Sequence, residues 1–156
     1  MHREGMVHGD IKALNVLVSS DGVARISDFY FSVMSRASGL MFTASGDSRS
    51  GSVRWVAPEM FIEDAPKKTK EADMYALGMT MLEIFTGDFP YPECQMDFVT
   101  VKKVDMGILP PRPTALRGSD RRGNLIWKLL LKCWSRNVSE RPSAGQVVGA
   151  LVFHTE

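Results

Sequence analysis

The longest coherent pattern of apolar positions lies in residues 70–85. Tyr75, Leu77, Gly78, Met81, Leu82 and Phe85 recur at helical spacing, and Met74, Met79 and Ile84 fill much of the remaining circumference. That spacing predicts a helix apolar nearly all round, which has to be buried, and which is too short and too polar at its start to cross a bilayer. Gly87 ends it. Shorter elements are predicted around it. Residues 1–7 read as the tail of a helix stopped by Gly5. Residues 15–19 and 23–27 read as a hairpin turned at Ser20-Asp21-Gly22, because Asp-Gly between apolar runs favours a tight turn.

Further along, residues 96–106 are predicted as a short helix ended by Gly107. Residues 125–134 form a second buried helix with Leu129, Leu130, Cys133 and Trp134 inward, and Trp55 is a further core aromatic. Ser143 is placed as the cap of a last helix carrying Val147, Val148 and Leu151 at core spacing. Pro110, Pro111 and Pro113 forbid regular structure between the helices. Residues 117–123 read as a charged surface loop. Residues 29–56, rich in serine (Ser35, Ser38, Ser45, Ser48, Ser50, Ser52) and interrupted by Gly39, Gly46 and Gly51, read as a mobile surface segment.

Composition narrows the picture. The 156 residues are one domain's worth, and 44% hydrophobic with 24% charged side chains is the balance of a soluble globular protein. A net charge of +1 offers no attraction for nucleic acid or an anionic membrane. Cys94 and Cys133 lack metal-ligand spacing and read as buried thiols of a reducing compartment. No run reaches the length of a membrane span, and the opening Met1-His2-Arg3-Glu4-Gly5 lacks the apolar stretch of a signal peptide. The expectation is a cytoplasmic or nuclear protein.

The chemistry-bearing stretch is Val7-His8-Gly9-Asp10-Ile11-Lys12-Ala13-Leu14-Asn15, followed at once by the apolar run Val16-Leu17-Val18. A second carboxylate follows in Ile26-Ser27-Asp28-Phe29. One carboxylate, one cation and one amide beside a hairpin that ends in another carboxylate can hold a divalent metal and phosphate near a hydroxyl nucleophile.

That stretch resembles the H-R-D-L-x-x-x-N catalytic loop of protein kinases. Asp28-Phe29 resembles the start of D-F-G, and Ala57-Pro58-Glu59 the A-P-E that closes an activation segment. Glu71-Ala72-Asp73-Met74-Tyr75-Ala76-Leu77-Gly78 resembles the start of the central helix of the kinase C-lobe. Phe89-Pro90-Tyr91-Pro92 resembles the turn after that helix, and Glu140-Arg141-Pro142 the Arg-Pro before the last one. The matches come in family order and cover residues 1 to about 152. The resemblance implies a mainly α fold: a protein-kinase C-terminal lobe with a small β-hairpin beside the catalytic loop and the N-terminal lobe absent. The implied layout of the partial kinase domain, residues 1–156, is catalytic loop 8–15, activation segment 28–59 and helical core 70–152. Neither G-x-G-x-x-G nor V-A-I-K precedes Asp10, so the chain reads as a C-lobe fragment.

The resemblance also implies roles. Asp10 orients the substrate hydroxyl, Lys12 neutralises the transferred phosphoryl and binds nucleotide, and Ser52 bridges the two. Asn15 and Asp28 hold Mg²⁺ on the phosphates of ATP. Glu59 and Arg141 form a buried ion pair, and Asp73 accepts backbone N–H bonds around His8 and Gly9. Lys12 and the Arg54-Trp55-Val56-Ala57-Pro58-Glu59 wording are similar to the tyrosine-kinase-like group of Ser/Thr kinases. Two departures stand out. Gly9 replaces the usual Arg, which removes a cation that pairs with loop phosphate, and Tyr30 stands where D-F-G has Gly.

The implied function is phosphoryl transfer from ATP to Ser/Thr of protein substrates in a longer parent, with little turnover by this fragment alone. The alternative is a pseudokinase-like interaction module without catalysis. The partners expected are a protein substrate and either the missing N-lobe or another protein. That partner would cover an apolar surface around residues 16–27 and 1–6.

Overall fold

The computed structural model describes residues 1–29, 33–34 (backbone only), 52–62, 67–117 and 121–152. The expectations for Tyr30 and for the serine-rich stretch from Ser35 to Gly51 lie outside the described residues.

Five helices form the body: α1 (Glu59–Ile62), α2 (Lys70–Thr86), α3 (Asp97–Asp105), α4 (Arg121–Cys133) and α5 (Ala144–Val152). Two small antiparallel pairings, β1 (Met6–Val7) with β4 (Val33–Met34) and β2 (Val16–Val18) with β3 (Ala24–Ile26), lie toward the N-terminal part. The fold is mainly helical, as the sequence pattern indicated.

Helix α2 is the axis. Thr69 is extended and its hydroxyl accepts the Ala72 N–H at 3.0 Å, while Glu71 and Asp73 put negative charge in the first turn, where the helix dipole favours it. Gly87, at φ 74°, closes the far end by donating its N–H to the Glu83 carbonyl. Met74, Tyr75, Ala76, Met79 and Leu82 are buried, with Met79 completely so. Burying a side chain of that size is worth about 1.5–3 kcal/mol. The burial does not extend round the last turn: Ile84 is 60% exposed, and Phe85 is exposed too. The expectation that Ile84 fills a buried circumference fails there, because in the last turns only the side carrying Leu82 and Glu83 meets other parts of the chain.

Helix α4 crosses α2 closely. A Cβ on Gly78 would stand 2.7 Å from Trp134 Nε1 and 2.8 Å from Cys133 Cβ, so the crossing needs glycine. Ile126, Leu129, Leu130, Cys133 and Trp134 are buried against it, and Trp127 meets Trp134 edge-on at 5.7 Å. Both cysteines are free and buried. Helix α5 begins with a reciprocal cap, in which Gln146 N–H donates to Ser143 Oγ and Ser143 N–H to Gln146 Oε1. Its Val147 is buried, but Val148 is 59% exposed and turns away from the core position expected of it, since one face of this helix alone packs.

Three further differences are local. Residues 1–7 hold a single 3-10 turn (His2–Glu4) and strand β1 rather than a helix tail, although Gly5 does take the left-handed conformation expected of a stop. Arg121, Arg122 and Gly123 open α4 instead of belonging to a loop. The hairpin forms as expected, with Val16 opposite Ile26 and Val18 opposite Ala24, and Gly22 at φ 80° in its turn. Around it Leu14, Leu17, Val18, Val23 and Phe29 are exposed, as expected beside the hairpin, but the apolar surface expected at residues 1–6 does not form there, because Met1 and Met6 are half-buried and the exposed side chains are Arg3 and Glu4. No helix among the described residues is long and apolar enough to cross a membrane.

Candidate active site

The site is suspended from Asp73, in the first turn of α2. Its Oδ2 accepts the His8 N–H and its Oδ1 the Gly9 N–H, both at 2.8 Å, and His2 Nε2 reaches Oδ2 at 2.8 Å. A nearly fully buried carboxylate is tolerable only with donors on both oxygens, and this one has three. The His8 side chain, also fully buried, carries the order forward. Its Nδ1 accepts the Asp10 N–H at 3.3 Å, which places the ring proton on Nε2, where it is donated to the Ser27 carbonyl at 3.0 Å. Ser27 then donates its own N–H and hydroxyl to the Asn15 carbonyl, at 2.8 and 3.2 Å.

Asp10 and its neighbours are therefore held from behind. Asp10 Oδ2 lies 2.9 Å from Lys12 Nζ and accepts Asn15 Nδ2 at 3.2 Å; the same amide donates to the Asp10 carbonyl at 2.8 Å. Lys12 Nζ also donates to Ser52 Oγ at 2.8 Å. Four of the expected residues, Asp10, Lys12, Asn15 and Ser52, are thus in direct contact, and His8 and Asp73 support them as expected. Asp28 follows Ser27, which bonds the Asn15 carbonyl, but its exposed carboxylate bonds to none of these four residues and has no hydrogen-bond or ion-pair partner among the described residues. Its backbone sits at φ 62°, a left-handed conformation that Asp accepts more readily than most residues. Phe29 packs edge-on against the His8 ring at 5.1 Å.

The donor set fits Mg²⁺. With both amide hydrogens of Asn15 directed at Asp10, its Oδ1 is the atom left to face an ion, and Asp28, next in the chain after the Ser27 that bonds the Asn15 carbonyl, offers a further carboxylate. Among the described residues no cluster of three or more His, Cys, Asp or Glu side chains could cage a metal by itself. A hard ion that shares its shell with phosphate and water needs only one or two such protein oxygens.

Glu59 and Arg141 form the expected pair, bidentate at 2.6 and 2.8 Å, with the guanidinium wholly buried over the Tyr75 ring. Burial pushes the Tyr75 phenol well above its ordinary range. His2 and Arg54 are among the residues that escaped sequence reasoning. His2 adds the third donor to Asp73, and Arg54 ties the turn Val53–Trp55 to the loop after α2 through the Pro90, Tyr91 and Cys94 carbonyls at 2.9, 2.5 and 2.5 Å. Neither could be read from spacing, because their partners lie far away in the chain.

A family model for protein tyrosine and serine/threonine kinases matches residues 1–151. The chain belongs to this kinase family. Relatives include mitogen-activated protein kinase kinase kinase 3 of Arabidopsis thaliana, 32% identical over 95% of this chain and 24% of its own length. The mitogen-activated protein kinase kinase kinase MCK1 of Pyricularia oryzae is 29% identical over 98% of this chain and 10% of its own length. Serine/threonine-protein kinase STY46 of Arabidopsis thaliana is 27% identical over 97% of this chain and 24% of its own. The chain thus spans a quarter or less of the length of these relatives.

Within a kinase, Gly9 is the departure to explain, and the structure supplies a local reason. Gly9 sits at φ 80°, and the Lys68 side chain runs across it. A Cβ there would stand 2.8 Å from Lys68 Nζ and 2.9 Å from Cε. Lys68, Ser52 and Asp10 also wall a cavity of about 50 Å³ behind the catalytic-loop segment.

Proposed function

We propose that this chain is the metal- and acceptor-handling part of a Ser/Thr protein kinase that transfers the γ-phosphoryl group of ATP to a protein hydroxyl. The observation that carries the reading is the Asp10–Lys12–Ser52 contact, in which one carboxylate, one ammonium and one hydroxyl meet at a partly open face. Asp10 orients the acceptor hydroxyl for in-line attack and receives its proton as the bond to phosphorus forms. Lys12 sits close enough to Asp10 to offset the negative charge on the transferred group. Asn15 and Asp28 would hold Mg²⁺, which would supply positive charge against the ATP phosphates. Ser52 keeps Lys12 aimed at Asp10.

The Ser/Thr acceptor follows from Lys12 and from the names of the kinase relatives. The exposed row of Leu14, Leu17, Val18, Val23 and Phe29 is the surface on which a second lobe or a partner protein closes over the nucleotide. The 156 residues contain no glycine-rich lid and no strand lysine of the V-A-I-K type to place the β- and γ-phosphates, so by themselves they turn over little. The test is transfer of labelled γ-phosphate from ATP–Mg²⁺ to a mixed protein substrate. Label on Ser and Thr that vanishes with Asp10→Ala supports the reading. Label that survives Asp10→Ala, or that appears on tyrosine alone, overturns it.

A further inference from the structure

One oxygen of Glu83, in the last turns of α2, serves two distant segments. Glu83 Oε2 accepts the backbone N–H of Ala13 at 3.0 Å and the indole Nε1–H of Trp55 at 3.0 Å. Ala13 is the residue after Lys12, and Trp55 ends the turn that opens at Ser52. The two donors therefore stand on either side of the Lys12–Ser52 hydrogen bond. Hydrogen bonds to an ionised carboxylate are stronger than those to a neutral acceptor, and this one sits half-buried, where water competes less.

The same helix carries Asp73, which fixes the beginning of the segment at His8 and Gly9. Asp73 and Glu83 are separated by about 15 Å along the helix axis at 1.5 Å per residue. Helix α2 therefore acts as a rigid ruler with one carboxylate for the start of the Asp10 segment and another for its middle. The second carboxylate alone also grips the Ser52–Trp55 turn.

We propose that Glu83 is the positioning residue that sets the spacing between Lys12 and Ser52, and through Lys12 the aim of the Asp10 carboxylate. Its consequence for phosphoryl transfer rests on the kinase reading above. Glu83 touches neither nucleotide nor acceptor; it acts through the Ala13 backbone and the Trp55 ring. Losing it frees Lys12 from Ser52 while the core beneath stays packed.

The experiment compares Glu83→Ala, Glu83→Gln and Trp55→Phe with wild type, using a water-soluble acylating reagent on Lys12 and a thiol reagent on buried Cys133, both read by mass spectrometry. In Glu83→Ala, Lys12 acylation rises about tenfold, the equivalent of one lost charge-assisted hydrogen bond. Cys133 stays unreactive. Glu83→Gln rises less than Glu83→Ala, because an amide oxygen still accepts both N–H groups but without the charge, and Trp55→Phe also falls between wild type and Glu83→Ala. Unchanged Lys12 labelling in Glu83→Ala overturns the proposal. So does Cys133 reactivity that rises in step, which would mean general loosening. In the transfer assay Glu83→Ala lowers kcat about 100-fold with the KM for ATP little changed, the signature of misplaced reacting groups. If the labelling pattern holds while phosphate transfer survives Asp10→Ala, the kinase reading fails and the positioning stands. If Asp10-dependent transfer is present while Lys12 labelling ignores Glu83, the positioning fails and the kinase reading stands.

Discussion

Replacing Glu59 by Ala is the most informative single change to the scaffold. Arg141 is wholly buried and donates to Glu59 Oε1 and Oε2 at 2.6 and 2.8 Å, to the Glu71 carbonyl at 3.1 Å and to the Ser135 carbonyl at 2.9 Å. Removing the carboxylate leaves Nη2 without an acceptor and strands a buried cation against Tyr75. Breaking one side of such a pair destabilises by about 3–5 kcal/mol. For a chain of this size that is a fall in Tm of roughly 10 °C. Glu59→Gln keeps an acceptor but no charge and loses about 1.5–3 kcal/mol. The double variant Glu59→Ala/Arg141→Met removes the cation as well, and recovers at least half of the loss of Glu59→Ala alone, because an apolar replacement no longer buries an unpaired charge. Urea titration followed by tryptophan fluorescence measures all three. A Glu59→Ala loss below about 1 kcal/mol, or a double variant no more stable than Glu59→Ala, refutes the reasoning.

Other outcomes follow from the same packing. Gly9→Ala loses about 1–2 kcal/mol from the left-handed backbone, seen in the same urea assay, and Lys68→Ala added to it recovers little, because the end of the Lys68 side chain can swing aside. Ser143→Ala removes the cap of α5 and lowers stability by about 1 kcal/mol, seen as a lower urea midpoint with an unchanged slope. Stability also falls in alkali: burial pushes the Cys133 thiol from 9.0 up to about 11 and the Tyr91 phenol from 10.0 up to about 12. With both values raised in the folded state, the stabilisation is complete below pH 9 and is lost as pH climbs through 11 and 12. A urea midpoint flat across that range contradicts the burial of these groups.

The candidate site was legible where chemistry fixes short spacings. Asp10, Lys12 and Asn15 meet because a single tight segment carries all three, and the sequence shows that segment whole. Asp73 and the Glu59–Arg141 pair were readable only through family order, since their partners lie far off in the chain. Helices α2 to α5 were legible from apolar periodicity and caps, with glycine stops for α2 and α3, whereas the single turn α1 was not read as helix. Helix edges were not legible: Gly123 and two arginines hid the start of α4, although it packs closely against the Leu116 carbonyl. Strand β1 was invisible because two residues carry no alternation, and its pairing depends on Val33 and Met34. Glu83 looked like an ordinary polar residue on a helix, because no pattern announces an acceptor whose donors are a backbone N–H and an indole.

The central claim is that Asn15 and Asp28, beside Asp10 and Lys12, take a divalent ion together with nucleotide phosphate. The direct measurement is NMR of the chain titrated with Mn²⁺ and ATP, which detects even weak occupancy through paramagnetic broadening. The expected result is that the amide signals of Asn15 and Asp28 broaden first, that broadening requires ATP, and that Asp28→Ala removes it. Broadening centred elsewhere, or unchanged in Asp28→Ala, would contradict the claim.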